Sequence, residues 1–363
     1  MRRVLIWVVG LGILFGWFNV VVHAKKIDFD EWSFLNIKSA GRGGCYLTFY
    51  SDKDTAYYNP ALLHYYSSHL DFGASALLEG NDDLSDGWDL INDLEDIYDA
   101  YRGSVLLSEK IRERLDQALQ DKLSPYISFG ANGAIFTKKM LALGGMGQFI
   151  VSLGLTGTSV DPHLKINAYS SKVFYVSVPL KRRVFNKRFK VGITLKKVEA
   201  GSVSLDWNAN TVANNSDDLL DSIDDEIKED SSVMADIGIA YKNRAGIFMA
   251  AVLRNIGKVE MAGGKEIGTT LDIGIRKKVG LFTLGVEIHD IGTNSDFSDK
   301  LKIGVETSKI PFVGVLRAGY NNSGATFGLS TRLFIFNFDF AVYKRKMFED
   351  TDVVYSASLS LRF

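Results

Sequence analysis

The last eleven residues, Val-Val-Tyr-Ser-Ala-Ser-Leu-Ser-Leu-Arg-Phe at 353–363, alternate between apolar and polar side chains. Successive side chains of a β-strand point to opposite faces, so this segment has one apolar and one polar face. The apolar face carries Val353, Tyr355, Ala357, Leu359, Leu361 and Phe363. A strand with one face for lipid and one for water is typical of a transmembrane β-barrel. The alternative is an edge strand of a soluble β-sandwich, whose apolar face would meet a core.

The end of this strand is itself informative. Tyr355, Leu359, Leu361 and the terminal Phe363 resemble the C-terminal signal by which outer-membrane assembly machinery selects its substrates. We therefore expect the barrel-assembly machinery as a partner and outer-membrane lipid as the surroundings of the chain.

The N-terminus predicts export. Arg2 and Arg3 precede an apolar run from Val4 to Phe18, and Val22-His23-Ala24 fits a cleavage site. This pattern is typical of a signal peptide at 1–24. The alternative is a permanent anchor, because the run approaches the ~20 residues that a spanning helix needs.

Composition excludes some classes of function. Without the two leader arginines, the 42 basic residues become 40 against 43 acidic ones, a net charge of −3. This balance produces no positive field for nucleic acid. Mean hydropathy is +0.03, which suits a barrel because alternate residues face the lumen. Cys45 is the only cysteine, so neither a disulfide framework nor a thiol metal site is expected, and we predict a small buried residue there.

Fourteen segments bounded by turn residues read as strands, which predicts an all-β, antiparallel transmembrane barrel of about 14 strands. The predicted strands are 69–77, 126–137, 146–156, 171–180, 189–199, 234–242, 246–254, 269–277, 281–289, 301–307, 312–320, 324–332, 335–343 and 353–363. The barrel domain is therefore expected at 69–363.

The connections between these segments alternate between long and short, with one exception at 321–323. Barrels of outer membranes have short periplasmic turns and long outer loops. Basic residues such as Lys138 and Arg244 fall in the short connections. The long connections include a first loop at 78–125 and an acidic loop at 200–233. Solvated loops explain these charges better than calcium sites, because the carboxylates lack the spacing of a calcium-binding loop.

The first long loop has helical periodicity. Its apolar residues recur at i, i+3 and i+4 spacing: Trp88, Leu90, Ile91, Leu94, Ile97, Tyr98, Ile111, Leu115 and Leu119. Short amphipathic helices are expected here, either packing against each other or guiding apolar ligands to the barrel mouth.

Residues 25–68 lie between the predicted cleavage site and the first strand. They contain Ser-Ala-Gly-Arg-Gly-Gly-Cys at 39–45 and Ala-Tyr-Tyr-Asn-Pro-Ala-Leu at 56–62. Gly41, Gly43 and Gly44 permit positive φ and close approach of other groups. Asn59-Pro60 favours a turn. The glycines do not form a phosphate-binding loop, because no Lys-Ser/Thr follows them.

These two motifs resemble the N-terminus of the FadL-like outer-membrane superfamily, which includes long-chain fatty acid transporters, toluene-type hydrocarbon channels, PorV, and TraF-like and spirochaete branches. The resemblance covers about 25 residues closely. It implies a 14-stranded barrel whose lumen is plugged by an N-terminal hatch, with Gly41, Gly43, Gly44, Asn59, Pro60 and Ala61 in that hatch. The helical first loop and the acidic loop are more similar to the TraF-like and spirochaete branches.

Two functional hypotheses follow. The first is an outer-membrane channel for passive uptake of hydrophobic small molecules such as long-chain fatty acids, with a mobile N-terminal plug. In the family, exit is lateral, where the third strand bends inward, and the glycines at 144, 145 and 147 permit such a kink. A crowded barrel wall is the other explanation of these glycines. The second hypothesis is a non-transporting barrel that docks partner proteins, like PorV.

An enzyme is not expected, and neither is a metal or a cofactor. His64, His69, His163 and His289 show no paired ligand spacing, and the chain contains no Gly-x-Ser-x-Gly motif.

Overall fold

We describe a computed structural model of the chain. It describes residues 36–49, 55–65, 70–104, 106–121, 123–137, 140–158, 161–180, 189–208, 230–257, 259–261, 265–293, 295–347 and 350–362. The predicted signal peptide, the basic turn at 181–188, most of the predicted acidic loop and Phe363 lie outside the described residues.

The described chain contains sixteen strands. These are β1 (Leu70–Asn81), β2 (Tyr126–Thr137), β3 (Leu141–Thr158), β4 (Asp161–Pro179), β5 (Phe189–Asn208), β6 (Asp230–Lys242), β7 (Ile247–Ile256), β8 (Val259–Met261), β9 (Lys265–Ile267), β10 (Thr270–Val279), β11 (Phe282–Ile291), β12 (Leu301–Thr307), β13 (Val315–Asn321), β14 (Gly324–Leu333), β15 (Phe336–Met347) and β16 (Asp350–Arg362). The helices are α1 (Ile37–Ala40), α2 (Thr55–Tyr58), α3 (Leu84–Tyr101), α4 (Leu107–Gln120) and α5 (Phe297–Lys300), with a 3₁₀ helix at Pro60–Tyr65.

Fourteen of these strands form a closed antiparallel barrel. Each pairs with its neighbour in the chain, β7 pairs with β10, and β1 pairs with β16. The two remaining strands, β8 and β9, form a separate hairpin. Closure leaves no strand edge of the barrel unpaired, as a lipid environment requires. The predicted fold class and strand number are confirmed.

The outer face of the barrel is apolar. Large side chains are exposed at alternate positions along the strands, for example Phe336, Phe338 and Phe340 on β15. The residues between them, such as Asp339 and Ala341, are buried inside. On the terminal strand, Tyr355 and Leu359 are exposed while Ser356 and Ser360 are buried, so the alternation predicted for 353–363 is present.

Three strands are longer than the sequence pattern predicts. β3 and β4 pair as far as Thr158 with Asp161, so the predicted loop at 157–170 is wrong. β5 continues to Asn208, well past the predicted end at 199. The outward positions there become charged at Lys197 and Glu199, whose side chains pair at 2.6 Å. Lys197 and Glu199 therefore interrupt the apolar alternation, which resumes at 203, 205 and 207. This interruption explains why the predicted strand ends at 199.

The strict alternation of loop lengths also fails. Besides the exception at 322–323, only two residues separate β3 from β4 and β15 from β16. Long connections remain at 82–125, at 209–229 and around β8 and β9.

The first long connection forms the predicted helical hairpin. Leu90 and Leu94 of α3 are buried, as are Ile111 and Leu115 of α4. Trp88 departs from the predicted apolar stripe, because it is half-exposed. Among the described residues, no helix is both long and apolar enough to cross a membrane.

Candidate functional site

Residues 36–49 and 55–65, which we call the inner segment, occupy the interior of the barrel. They contact inward-facing residues of β4 to β7 and of β10 to β16. Most of their side chains are buried, including those of Cys45, Leu47, Asn59 and Leu62. The inner segment adds no strand to the barrel and is therefore held by side chains and by close backbone contact.

The glycine-rich motif ends α1 with a tight turn. Asn36 caps the helix by accepting a hydrogen bond from the Lys38 backbone N–H at 2.9 Å. Gly43 and Gly44 follow with φ of 69° and 90°, a region that favours glycine. The Gly44 N–H donates to the Ser39 carbonyl at 2.8 Å, which closes the turn. The motif therefore reverses the chain inside the lumen.

The wall meets this turn with glycines of its own. A Cβ at Gly41 would lie 2.8 Å from the Cα of Gly328 on β14, and one at Gly304 would lie 2.5 Å from the Arg42 carbonyl oxygen. Gly304 pairs with Gly285 on β11 and with Gly319 on β13, so the three form a row across the sheet. Glycine in a strand often marks close approach of another backbone. Here that backbone is the inner segment.

The Asn-Pro-Ala motif contacts the opposite wall. The Asn59 side chain accepts from the Ala61 N–H at 3.1 Å and donates to the Leu47 carbonyl at 3.4 Å. A Cβ at Gly192 of β5 would lie 2.5 Å from the Pro60 carbonyl carbon. Gly192 pairs with Gly238 of β6, which also faces Asn59 and Pro60. Both motifs are thus fitted against glycines of the barrel wall.

A buried carboxylate binds the middle of the inner segment. Glu287 of β11 accepts hydrogen bonds from the backbone N–H groups of Tyr46, Leu47 and Thr48 at 2.9, 3.0 and 2.9 Å. The Thr48 hydroxyl adds a fourth donor at 2.7 Å, and a His289 ring nitrogen lies 2.9 Å away. A charged acceptor makes such bonds stronger than neutral ones. Glu287 is therefore the main polar anchor of the segment.

Two neighbouring hairpins also contain a buried carboxylate that accepts a hydrogen bond from a backbone N–H group. Asp236 accepts from the Asn255 N–H and from Lys196, at 2.8 and 2.9 Å. Asp272 accepts from the Asp290 N–H at 2.9 Å and pairs with Arg254. Asn255 and Asp290 both have φ of 53° and lie where the strand register shifts. Each aspartate therefore stabilises a β-bulge and pairs with a cation inside the barrel.

The motif that carries these aspartates is repeated in the sequence, and the sequence analysis did not identify the repeat. Asp-Ile-Gly-Ile occurs at 236–239 and again at 272–275, followed by Asn-Ile-Gly at 255–257 and Asp-Ile-Gly at 290–292. The two copies are β6–β7 and β10–β11. A search for internal repeats would have found these residues.

Further ion pairs hold the ends of the inner segment. Arg42 donates to Glu306 of β12 at 2.8 Å, and Lys38 lies 3.6 Å from Asp339 of β15. Arg254 also donates to the Tyr58 carbonyl at 2.9 Å. These contacts and the glycine rows lie on β5 to β7 and on β10 to β15.

The side of the segment that faces β1 to β3 is different. A polar cavity of about 40 Å³ separates them there, bordered by Asn36, Lys38, Ser75, Asn132 and Gln148. Asn132 accepts from Ser75 at 2.8 Å, so the wall of the cavity is partly satisfied by its own strands. Elsewhere on this side the segment packs against β2 and β3, because Tyr57 lies in an apolar cluster with Phe136 and Ile37 lies in another with Ile150.

The glycines predicted to kink the third strand lie in a continuous ladder. Gly144, Gly145 and Gly147 pair in unbroken register with both β2 and β4. A Cβ at Gly144 would lie 2.6 Å from Cε1 of Tyr175. The observed role of Gly144 is to make room for that ring, which contacts Tyr57 of the inner segment with ring centroids 5.5 Å apart.

Of the residues predicted to direct assembly, Tyr355 and Leu359 face outward and Leu361 is half-buried. Cys45 is buried as predicted, and burial raises the pKa of its thiol, so little reactive thiolate forms. Within the described ranges, no group of three or more His, Cys, Asp or Glu residues could hold a metal.

The fold resembles that of hydrocarbon channels. The Ralstonia pickettii toluene transporter TbuX aligns at 11% identity and a TM-score of 0.52, over 90% of this chain and 97% of that one. The P. putida toluene transporter TodX aligns at 11% identity and 0.50, over 89% and 97%. The CymD monoaromatic hydrocarbon channel aligns at 14% and 0.50, over 89% and 96%. The FadL-like architecture predicted from the N-terminal motifs is that of these neighbours.

No protein-family model matches the sequence, and no curated protein matches it either. The similarity of this chain to these channels is therefore one of fold.

Proposed function

We propose that this chain is an outer-membrane channel for passive uptake of hydrophobic small molecules, such as long-chain fatty acids, with the inner segment as its mobile plug. One observation carries this proposal: the barrel closes through its own fourteen strands, and the inner segment inside it contributes none of them. The segment can therefore move without breaking the hydrogen bonds of the wall. Structural neighbours described as toluene transporters and as a monoaromatic hydrocarbon channel support the hydrophobic class of ligand.

Movement of the plug is a physical requirement of this function. The cavity beside β1 to β3 has a volume of about 40 Å³, which is much smaller than an engineered cavity of roughly 150 Å³ that binds benzene. A hydrocarbon can therefore pass only when the inner segment shifts.

The surface uncovered by such a shift suits an apolar ligand. Tyr57 and Leu63 of the inner segment pack against Phe136, Met146 and Val173 of the wall. Withdrawal of the segment removes the contacts of these wall side chains with Tyr57 and Leu63. A fatty acyl chain or an aromatic ring would restore buried apolar area at about 25 cal/mol per Å².

Uptake into proteoliposomes tests the proposal. Flux of a radiolabelled long-chain fatty acid and of toluene is compared for the full chain, for a chain lacking 25–65 and for empty vesicles. We expect flux above background for the full chain and faster flux without the plug. Background flux for both proteins, with both ligands, would reject the transport function.

A matched pair of variants tests the plug itself. Glu287→Gln weakens the anchor at Tyr46 to Thr48 and should increase flux. Glu113→Gln on the exposed face of α4 should leave flux unchanged, because Glu113 is exposed and pairs with Lys110 of the same helix. Equal flux for both variants would mean that the anchor does not control passage.

Docking of a partner protein is the second candidate. It is favoured by the filled lumen and by α3, which carries five exposed aspartates, a half-buried glutamate and the half-exposed Trp88. Co-purification of a stoichiometric partner, lost when residues 80–122 are deleted, would support this role.

A further inference from the structure

Three neighbouring hairpin turns expose large apolar side chains at the short-turn end of the barrel. They are the β10–β11, β12–β13 and β14–β15 turns, and they follow each other around the rim because β10 to β15 are consecutive in the sheet. At their tips, Leu281 is 66% exposed, Phe334 is 84% exposed and Phe312 is completely exposed. Val313 and Ile335 are exposed beside them. We call these five residues the apolar half-rim.

Two of these aromatic residues have an unfavourable backbone conformation. Phe312 and Phe334 have φ of 65° and 54°. A bulky residue rarely adopts this region, which Gly or Asn occupies at less cost. Neither residue gains from packing within the chain, since both rings are exposed. The turn geometry therefore does not explain the choice of phenylalanine, and an apolar environment outside the chain does.

The apolar half-rim continues the lipid-facing surface. Phe282 is the first residue of β11, Leu333 the last of β14 and Phe336 the first of β15, and all three are exposed on the outer wall. No polar row separates them from the tips at Leu281 and Phe334. Exposed lysines lie next to the turns, at 277, 278 and 309. Aromatic rings flanked by lysines match the boundary between acyl chains and phosphate groups.

The same end of the barrel has a different character at the β6–β7 turn. Its exposed residues are Arg244, Ala245 and Gly246, with no large apolar side chain among them. This turn is joined to the apolar half-rim through β7 and β10. Next to the apolar half-rim, this end of the barrel therefore carries a polar, basic turn. Farther round the same end, the β2–β3 turn exposes one large apolar side chain, that of Met140, but no aromatic ring.

We propose that the apolar half-rim is immersed in the membrane, with its rings among the acyl chains next to the headgroups, while the β6–β7 turn stays in water. The barrel then sits unevenly in the bilayer, deeper on the side of β10 to β15. The occupant of this surface is lipid, because the surface is continuous with the outer wall and is bordered by lysines that fit lipid phosphates.

Quenching of a fluorescent label by brominated lipid tests this directly. In a Cys45→Ala background, single cysteines at Phe312, Phe334 and Ala245 are labelled and reconstituted into phosphatidylethanolamine–phosphatidylglycerol vesicles, with or without bromine on the upper acyl chain. Labels at 312 and 334 should lose fluorescence in the brominated vesicles, and the label at 245 should keep it. Strand content measured by circular dichroism confirms that each variant is folded.

A second variant tests whether the ring at 334 helps to hold the rim in the membrane. Phe334→Asn relieves the backbone at a positive-φ position and removes the ring. It should reduce the quenching of a label at 312, because the rim loses one of its anchors, whereas Ala245→Asn should not. Unquenched labels at both 312 and 334 would overturn the proposal. So would labels that become shielded only when a cell-envelope protein fraction is added, because the occupant would then be a protein.

Discussion

Glu287 shows how one residue can organise the interior of this barrel. Its carboxylate sits on β11 and accepts from three consecutive backbone N–H groups of the inner segment. Those N–H groups belong to neither a helix nor a strand. Without Glu287 they would therefore lose their hydrogen-bond acceptor in a largely buried site. A single wall side chain therefore determines the position of residues 46–48.

Removing this carboxylate should destabilise the protein. For Glu287→Ala we expect a loss of about 3–5 kcal/mol, because buried donors are left without their charged acceptor. Urea unfolding of the barrel in detergent measures the change. Glu113→Ala, an exposed position on α4, should change stability by less than about 1 kcal/mol. Similar losses for the two variants would contradict the anchoring role.

Replacing a wall glycine that contacts the inner segment should also destabilise the protein. A Cβ at Gly319 would overlap the backbone of Arg42 and Gly43, so Gly319→Ala should cost about 1–3 kcal/mol through overpacking. Gly133→Ala is the matched control, because a Cβ there has no neighbour closer than 3.7 Å. Proteolysis of the inner segment should increase for the first variant only. Equal protection in both would show that the wall tolerates a wider segment.

The outward face can be tested at Leu359. Leu359→Arg should cost roughly 2–4 kcal/mol if the side chain meets mid-bilayer lipid, and Ala245→Arg in an exposed turn should cost little. The yield of folded protein in lipid vesicles is measured for each of the two arginine variants. Ser358 is a poor comparison, because it borders the small cavity beside Lys38 and Asp339 and does not face an open lumen. Equal folding of the two arginine variants would argue against lipid at Leu359.

At the scale of elements, the repeated hairpins β6–β7 and β10–β11 share one construction. In both, an inward aspartate accepts from the N–H of a positive-φ residue, and a glycine two positions later faces the inner segment. The bulge and the close contact are therefore built from the same short motif.

The two copies should respond alike to the same change. Asp236→Asn and Asp272→Asn each leave Lys196 or Arg254 without its buried carboxylate, so each should cost about 3–5 kcal/mol. The double variant tests whether the two losses of stability are additive. Asp272 also accepts a hydrogen bond from Tyr46 of the inner segment, so its loss affects more than its own hairpin. Urea midpoints of the three variants provide the measurement. A loss confined to one copy would show that the repeat is not equivalent in energy.

At the scale of the whole molecule, the barrel is filled. The inner segment packs against the wall through apolar clusters and ion pairs and leaves a polar cavity of about 40 Å³ beside β1 to β3. Hydrogen exchange should therefore protect the amides of 46–48 as strongly as those of central strands. Fast exchange there, with slow exchange in β10 and β11, would indicate a segment that is already released at rest.

The barrel wall of this protein was predictable from its amino-acid sequence. The strand number was predicted from fourteen segments bounded by turn residues. The segment at 353–363 and several others alternate clearly, because lipid outside and a polar interior force a period of two. The Gly-x-Gly-Gly and Asn-Pro-Ala motifs predicted where the chain turns inside. The extension of β5 was missed because Lys197 and Glu199 interrupt that period.

The contacts that hold the inner segment inside the barrel could be identified only from the tertiary structure. Glu287 and Thr48 are separated by 239 residues, and Gly43 and Thr326 by 283, so no local pattern links them. The strand glycines at 192, 285, 304 and 319 read as weak points in the sequence, but they admit the inner segment. Such contacts arise when the sheet closes and brings distant strands around one segment, which is a property of the closed barrel and not of any strand in it.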